Sequence, residues 1–178
     1  NIITKGNDLY LRKNTEDIRL TNDEDAEINA TLSPDGNYVA YTKKNDLYSV
    51  NLATLKENRI TKDGSETILN GYASWVYMEE ILGRSGRYRA FWWSPDSKRI
   101  AFFRSDDTKI PVFTITDAPG LHGVVETQRY PKVGDPNPEV KVGMVEPDGN
   151  NIVWAAFNEK DDQYFGMPYW KPDGSSLL

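Results

Sequence analysis

The sequence lacks cysteine altogether and has a single histidine among its 178 residues. The absence of cysteine excludes both a disulfide framework and a thiolate metal site. Basic residues are in the minority, with 21 Lys and Arg against 27 Asp and Glu and a net charge of −6. We therefore expect no nucleic-acid partner, because phosphates need a basic surface. No apolar run approaches the ~18 residues of a membrane span, so we expect no span either.

Catalytic machinery is also missing. The G-x-S-x-G motif of serine hydrolases does not occur, since the nearest candidate, GRSG at residues 83–86, has the wrong spacing. His122, in a PGLHG loop, has no Ser and Asp partners in the pattern of a triad, so we expect it to be solvated. The acid pairs at 106–107 and 161–162 lack the other ligands of a calcium loop. We predict no catalytic residue, no metal and no cofactor, and the chain alone should be inactive.

Three similar turns punctuate the chain: LSPDG at 32–36, WSPDS at 93–97 and WKPDG at 170–174. In such a turn, proline presets φ at the second position, aspartate hydrogen-bonds its own backbone, and glycine accepts a positive φ. The residues after the first two turns alternate between apolar and polar, which is typical of half-buried strands.

A second repeat is interleaved with these turns. The sequence NDLY occurs at 7–10 and again at 45–48, a spacing of 38, and R-[LI]-T occurs at 19–21 and 59–61, a spacing of 40. Periods near 40 with four short strands per unit are typical of β-propeller blades. We predict an all-β fold, a partial β-propeller of about three to four blades of antiparallel strands with a short inserted helix. Because the chain begins without Met and stops inside a hairpin, we expect residues 1–178 to be a fragment of a larger propeller domain.

The period breaks between residues 60 and 92, where about twenty extra residues are inserted. The insertion contains SWVYMEEIL at 74–82, which predicts a helical turn that Ser74 could cap and a glycine at 83 could end. Trp75 and Tyr77 should anchor it by packing. Adjacent acids such as Glu79 and Glu80 are usually a solvated helix face. Set into a sheet protein, however, this pair could bind a cation.

The order of several motifs resembles the propeller of the dipeptidyl peptidase IV family, the prolyl-oligopeptidase-type serine peptidases. The similarity runs from about residue 44 to 143. It is carried by the following motifs: WVYxEE after an N-G, WWSPD at 92–96, RSDD at 104–107, IP at 110–111, YPK at 130–132 and NPEVK at 137–141.

The resemblance implies an N-terminal eight-bladed propeller that covers a C-terminal α/β-hydrolase domain, which is absent from this chain. It also implies that Glu79 and Glu80 bind the free N-terminal ammonium of a peptide substrate, so that dipeptides with Pro or Ala at the penultimate position are removed. The partners implied are that peptide and the hydrolase domain, with a possible homo-oligomer, in the periplasm or outside the cell.

Two departures from the family pattern stand next to the acid pair, where Ser74 and Met78 replace the frequent Asp and Glu. We assign the substrate-binding arginine of the family to no residue of this sequence, and we expect the stretch that carries it to precede Asn1. Two alternatives stay open. One is a prolyl tripeptidyl peptidase of the same clan, and the other is a non-enzymatic, TolB-like propeller that binds proteins, although the latter would not need the WVYxEE insertion.

Overall fold

The computed structural model describes residues 1–117 and 123–178, so that His122 lies outside the described residues. Strands form nearly all of the regular structure, and they are arranged in successive antiparallel sheets. The first sheet has the order β1-β2-β3. Its strands are β1 (Ile2–Lys5), β2 (Asp8–Lys13) and β3 (Glu16–Arg19).

The second sheet is a complete four-stranded meander in the order β4-β5-β6-β7. Its strands are β4 (Ile28–Leu32), β5 (Tyr38–Lys43), β6 (Asp46–Asn51) and β7 (Lys56–Arg59). The first strand is an edge strand, and each later strand pairs with the one before it, as in a propeller blade.

The third sheet has the same plan with two interruptions. Its strands are β8 (Ile68–Asn70), β9 (Phe91–Trp93), β10 (Ile100–Asp106), β13 (Glu139–Val145) and β14 (Val153–Trp154). One edge of β10 pairs with β13 over the whole of β10. The other edge pairs with β8 at one end and with β9 at the other, so β8 and β9 are two halves of one edge strand. A separate ribbon of β11 (Val112–Asp117) and β12 (Val124–Arg129) lies between β10 and β13 in the chain. The predicted all-β chain of antiparallel blades with a short inserted helix is thereby confirmed.

The NDLY and R-[LI]-T motifs contact each other within each of the first two sheets, which explains why they repeat at nearly the same spacing. Asp46, from NDLY, is fully buried and accepts hydrogen bonds from Arg59 at 2.5 Å and from Thr61 at 2.7 Å. Thr61 in turn accepts the backbone N–H of Leu47 at 3.0 Å. The first sheet repeats the arrangement with Asp8, whose carboxylate pairs with the arginine of its own R-L-T motif.

The core consists of apolar layers between the stacked sheets. One layer joins the first and second sheets and includes Leu9, Val39 and Tyr41. The next joins the second and third sheets through residues such as Leu47 and Phe102. Each side chain of this size contributes roughly 1.5–3 kcal/mol when fully buried. The third layer covers the far face of the third sheet and holds the inserted segment against it.

Candidate functional site

The inserted segment, residues 71–90, leaves and re-enters the sheet within the split edge strand. Gly71 donates its N–H to Phe103 in β10 at 2.8 Å, and Ala90 donates its N–H to the carbonyl of Gly71 at 2.9 Å. Gly71 has φ +67°, and a Cβ there would lie 3.1 Å from Leu47. Both ends of the segment are therefore fixed to the third sheet.

A short helical turn, Tyr77–Ile81, lies in the middle of this segment and has π-helical geometry. The Leu82 N–H donates to the Tyr77 carbonyl, the i to i+5 pattern of such turns. Gly83, at φ +71°, ends the turn, and a 3₁₀ turn follows at Arg84–Gly86. The side-chain cap predicted at Ser74 is absent. Its carbonyl accepts the Met78 N–H, but its hydroxyl is buried and has no partner among the described residues.

Tyr77 is buried beneath this turn, at 1% exposure. Its ring packs edge-on against Phe103 at 5.8 Å, and its hydroxyl accepts the backbone N–H of Phe165 at 3.1 Å. Burial raises the pKa of Tyr77 to about 12, so the phenol stays neutral. Trp75 packs edge-on against Tyr130, with ring centroids 4.7 Å apart. The turn is thus attached both to β10 and to the loop that follows β12.

The two adjacent acids differ in their surroundings. The side chain of Glu79 is 14% exposed, and its carboxylate accepts a hydrogen bond from the guanidinium of Arg84. Glu80 is exposed, and no hydrogen bond to it is found among the described residues. One carboxylate is therefore paired and largely covered, while the other is open to solvent.

A polar cavity of about 460 Å³ lies beside the segment and was not predicted from the sequence. Ser74 and Trp75 line one part of it, and Asp107 and Arg129 line another, whereas neither glutamate does. Burial, and secondarily the charge of Asp106, raises the pKa of Asp107 to about 6, although its carboxylate accepts a hydrogen bond from Ser105. The RSDD motif marks this position, but its burial depends on tertiary contacts.

Residues 1–117 and 123–178 contain no group of three or more His, Asp or Glu side chains close enough to hold a metal ion. No helix in the same ranges has the length and apolar character needed to cross a membrane.

The fold and the site together define a propeller-type region with an acidic helical insertion in one edge strand. The family profile described as the dipeptidyl peptidase IV (DPP IV) N-terminal region matches residues 3–178. The chain therefore belongs to the dipeptidyl peptidase IV family, as a part of its N-terminal region, and the resemblance seen in the sequence is confirmed.

Individual relatives agree with this assignment. The chain is 38% identical over 155 residues to dipeptidyl peptidase 4 of Trichophyton tonsurans, covering 82% of this chain and 19% of the relative. It is 38% identical over 125 residues to dipeptidyl peptidase 4 of Felis catus, covering 68% and 16%. The crystal structure of Porphyromonas gingivalis dipeptidyl peptidase 4 superposes with a TM-score of 0.78 at 26% identity, covering 90% of this chain and 23% of that one. The chain thus spans about a fifth of the length of these relatives.

Proposed function

We propose that this chain is the substrate-gating part of the propeller of a dipeptidyl peptidase IV-like serine exopeptidase, and that Glu79 and Glu80 bind the N-terminal ammonium of the peptide. Membership in the family and the names of the relatives support the kind of enzyme. The roles of the two glutamates rest on the structure of the insertion.

The observation that carries the proposal is the position of the acid pair. The pair lies between β8 and β9, the two halves of the first strand of the third sheet. Propeller blades surround a central channel, and the first strand of each blade lies next to it. An insertion in that strand would project into the channel, where a peptide would enter.

The chemistry of the pair suits an ammonium group. An ammonium has three donors and no acceptor, and its removal from water is unfavourable without compensating charge. Two carboxylates on one turn supply both the charge and several acceptors through charge-assisted hydrogen bonds. Phosphates or other anions would instead be repelled by Glu79 and Glu80.

The anchoring of the turn supports a measuring role. Tyr77 and Trp75 attach the turn to the sheet and to the neighbouring loop, so the acids hold a fixed position relative to the blade. A hydrolase domain of the parent protein would supply the nucleophile. The distance between that nucleophile and the acid pair would then select the second peptide bond and release dipeptides, with Pro or Ala at the penultimate position.

The test uses Glu79→Gln and Glu80→Gln in the complete polypeptide that contains this chain. Each change keeps size but removes charge, and the loss of a charged partner in a desolvated site should lower kcat/KM for free-amine peptides by about 30-fold to several thousand-fold. Peptides with an acetylated N-terminus should be poor substrates already and should lose far less. Glu24→Gln is the matched control, because Glu24 is an exposed acid outside the inserted segment.

Three outcomes decide between the alternatives. Wild-type kinetics in both Gln variants would exclude the ammonium-binding role and leave the pair as a solvated face. Release of tripeptides instead of dipeptides would favour the tripeptidyl alternative. A complete polypeptide that cleaves no peptide would favour a propeller that binds proteins without catalysis.

A further inference from the structure

We infer that Arg84 occupies the place of the substrate ammonium on Glu79 and acts as an internal competitor that sets the affinity for peptide N-termini. This inference rests on the proposed function, since it concerns the regulation of the same site. Its basis is the ion pair between the Arg84 guanidinium and the Glu79 carboxylate, which joins the two turns of the insertion.

The exposure of the two partners shows which of them can leave. The side chain of Glu79 is only 14% exposed, whereas that of Arg84 is 75% exposed. Arg84 begins the 3₁₀ turn after Gly83, and its backbone carbonyl accepts the Arg87 N–H at 3.2 Å. The guanidinium therefore reaches Glu79 from solvent and can return to solvent while the turn keeps its backbone bond.

The guanidinium and a peptide ammonium require the same acceptor. Both are cations that donate charge-assisted hydrogen bonds to a carboxylate, so they cannot fully occupy the same Glu79 oxygen at once. An arriving ammonium therefore competes with Arg84 for the Glu79 oxygen that accepts from the guanidinium, while Glu80 has no such partner among the described residues. A peptide with a blocked, neutral N-terminus cannot replace the lost ion pair, so the competitor increases discrimination against it.

The expected size of the effect follows from the kind of ion pair. An ion pair with a solvent-exposed partner such as Arg84 is weak, and releasing it should weaken substrate binding by about two- to five-fold. The effect should appear in KM and not in kcat, because an amine bound equally in the ground state and the transition state changes binding alone.

The experiment compares Arg84→Gln with Arg87→Gln in the complete polypeptide. Both changes remove one positive charge from the same loop, but Arg87 forms no ion pair among the described residues. For a free-amine dipeptidyl substrate, Arg84→Gln should lower KM by about two- to five-fold with kcat unchanged, and Arg87→Gln should leave both nearly unchanged. The difference should shrink in 0.5 M NaCl, where exposed charges are screened.

Two results would overturn the inference. A higher KM in Arg84→Gln would mean that Arg84 positions Glu79 for the substrate instead of competing with it. An equal decrease in both Arg variants would mean a general charge effect of the loop.

A double-mutant cycle separates this inference from the proposed function. In a Glu79→Gln background the benefit of Arg84→Gln should disappear, because the contested acceptor has lost its charge. If Glu79→Gln raises KM but Arg84→Gln does not lower it, the competitor is excluded and the ammonium site stands. If neither Glu79→Gln nor Glu80→Gln has an effect, the proposed function itself fails.

Discussion

The backbone N–H of Asp35 donates a 2.9 Å hydrogen bond to the hydroxyl of Ser97, which lies 62 residues later in the chain. Both residues belong to the repeated proline-aspartate turns, so the turn of the second sheet is tied to that of the third. Arg99 extends the series, since its guanidinium donates to the carbonyl of Gly174 in the next turn at 2.7 Å. The repeated turns therefore connect consecutive sheets as well as consecutive strands.

The first prediction concerns this contact. Ser97→Ala removes the acceptor of the Asp35 N–H and should lower the free energy of unfolding by about 0.5–1.5 kcal/mol. Ser97 has φ 61°, and the equivalent position in the turn of the second sheet is a glycine, Gly36, with φ 74°. Ser97→Gly loses the same acceptor, but glycine adopts a positive φ without the strain of about 1 kcal/mol that other residues have there. The free energy of unfolding of this variant should therefore be closer to that of the wild type. Chemical denaturation measures both, and an Ala variant as stable as the wild type would show that the contact contributes nothing.

A second prediction concerns the buried carboxylate of the NDLY motif. Asp46 has 0% side-chain exposure and holds Arg59, Thr61 and the N–H of Gly64. Removing one partner of a buried ion pair destabilises a protein by about 3–5 kcal/mol. Asp46→Ala should lower the free energy of unfolding by an amount near the lower end of this range, because Arg59 reaches solvent.

The control for that change is Asp17→Ala. Asp17 also accepts from an arginine on the neighbouring strand, at 2.8 Å, but the Asp17 side chain is 15% exposed, whereas that of Asp46 is fully buried. This variant should unfold nearly like the wild type. Equal losses in the two variants would contradict the view that burial of Asp46 makes its pair important.

The third prediction is a dependence of stability on pH. Glu27 is buried, and burial raises its pKa to about 7, although Thr21 donates a hydrogen bond to it. Between its ordinary value of 4.5 and about 7, the folded state retains a proton that the unfolded state has released. Stability should therefore fall as the pH rises from 4.5 to about 7. Above this range Glu27 should add no further pH dependence. Asp107 acts in the same direction between 3.8 and about 6.

Glu27→Gln isolates the contribution of Glu27. The amide does not ionise, so the variant should gain stability relative to the wild type as the pH rises from 4.5 to 8. Lys43, 3.7 Å from the Glu27 carboxylate, keeps Asp23 and Glu57 as ion-pair partners in this variant. Thermal unfolding at half-unit pH steps measures the slope, and identical slopes in the two proteins would contradict the assignment.

The fold was largely predictable from the sequence because the turns and strands are determined by short motifs of neighbouring residues. In the turn at 93–97, for example, the Ser94 hydroxyl donates to Asp96 at 2.6 Å within three residues, so the motif itself encodes the turn. The split of the edge strand was not predictable, because it depends on the pairing of β8 and β9 with the same strand, β10. The pairing of Glu79 with Arg84 was missed for a similar reason, since it depends on the left-handed Gly83 between the two turns.

The last prediction concerns the anchor of the acidic turn. Tyr77→Phe keeps the ring on Phe103 but removes the hydroxyl that accepts the N–H of Phe165. The Phe165 N–H is partly buried, so the loss of this hydrogen bond should lower stability by about 0.5–1.5 kcal/mol. The loosened turn should also hold Glu79 and Glu80 less precisely, so KM for a free-amine peptide should rise in the complete polypeptide while an acetylated peptide is little affected.

Tyr164→Phe is the matched control, because it removes a hydroxyl from the ring that neighbours Tyr77 at 5.9 Å. The Tyr164 hydroxyl bonds to Asn137 at a site where Tyr164 is 52% exposed, so water can replace it. This variant should match the wild type in both thermal unfolding and KM. If Tyr77→Phe lowers stability without raising KM, Tyr77 supports the third sheet alone and the acid pair is positioned by Trp75 and the strand ends. If Tyr77→Phe changes neither quantity, the hydrogen bond to Phe165 does not anchor the turn.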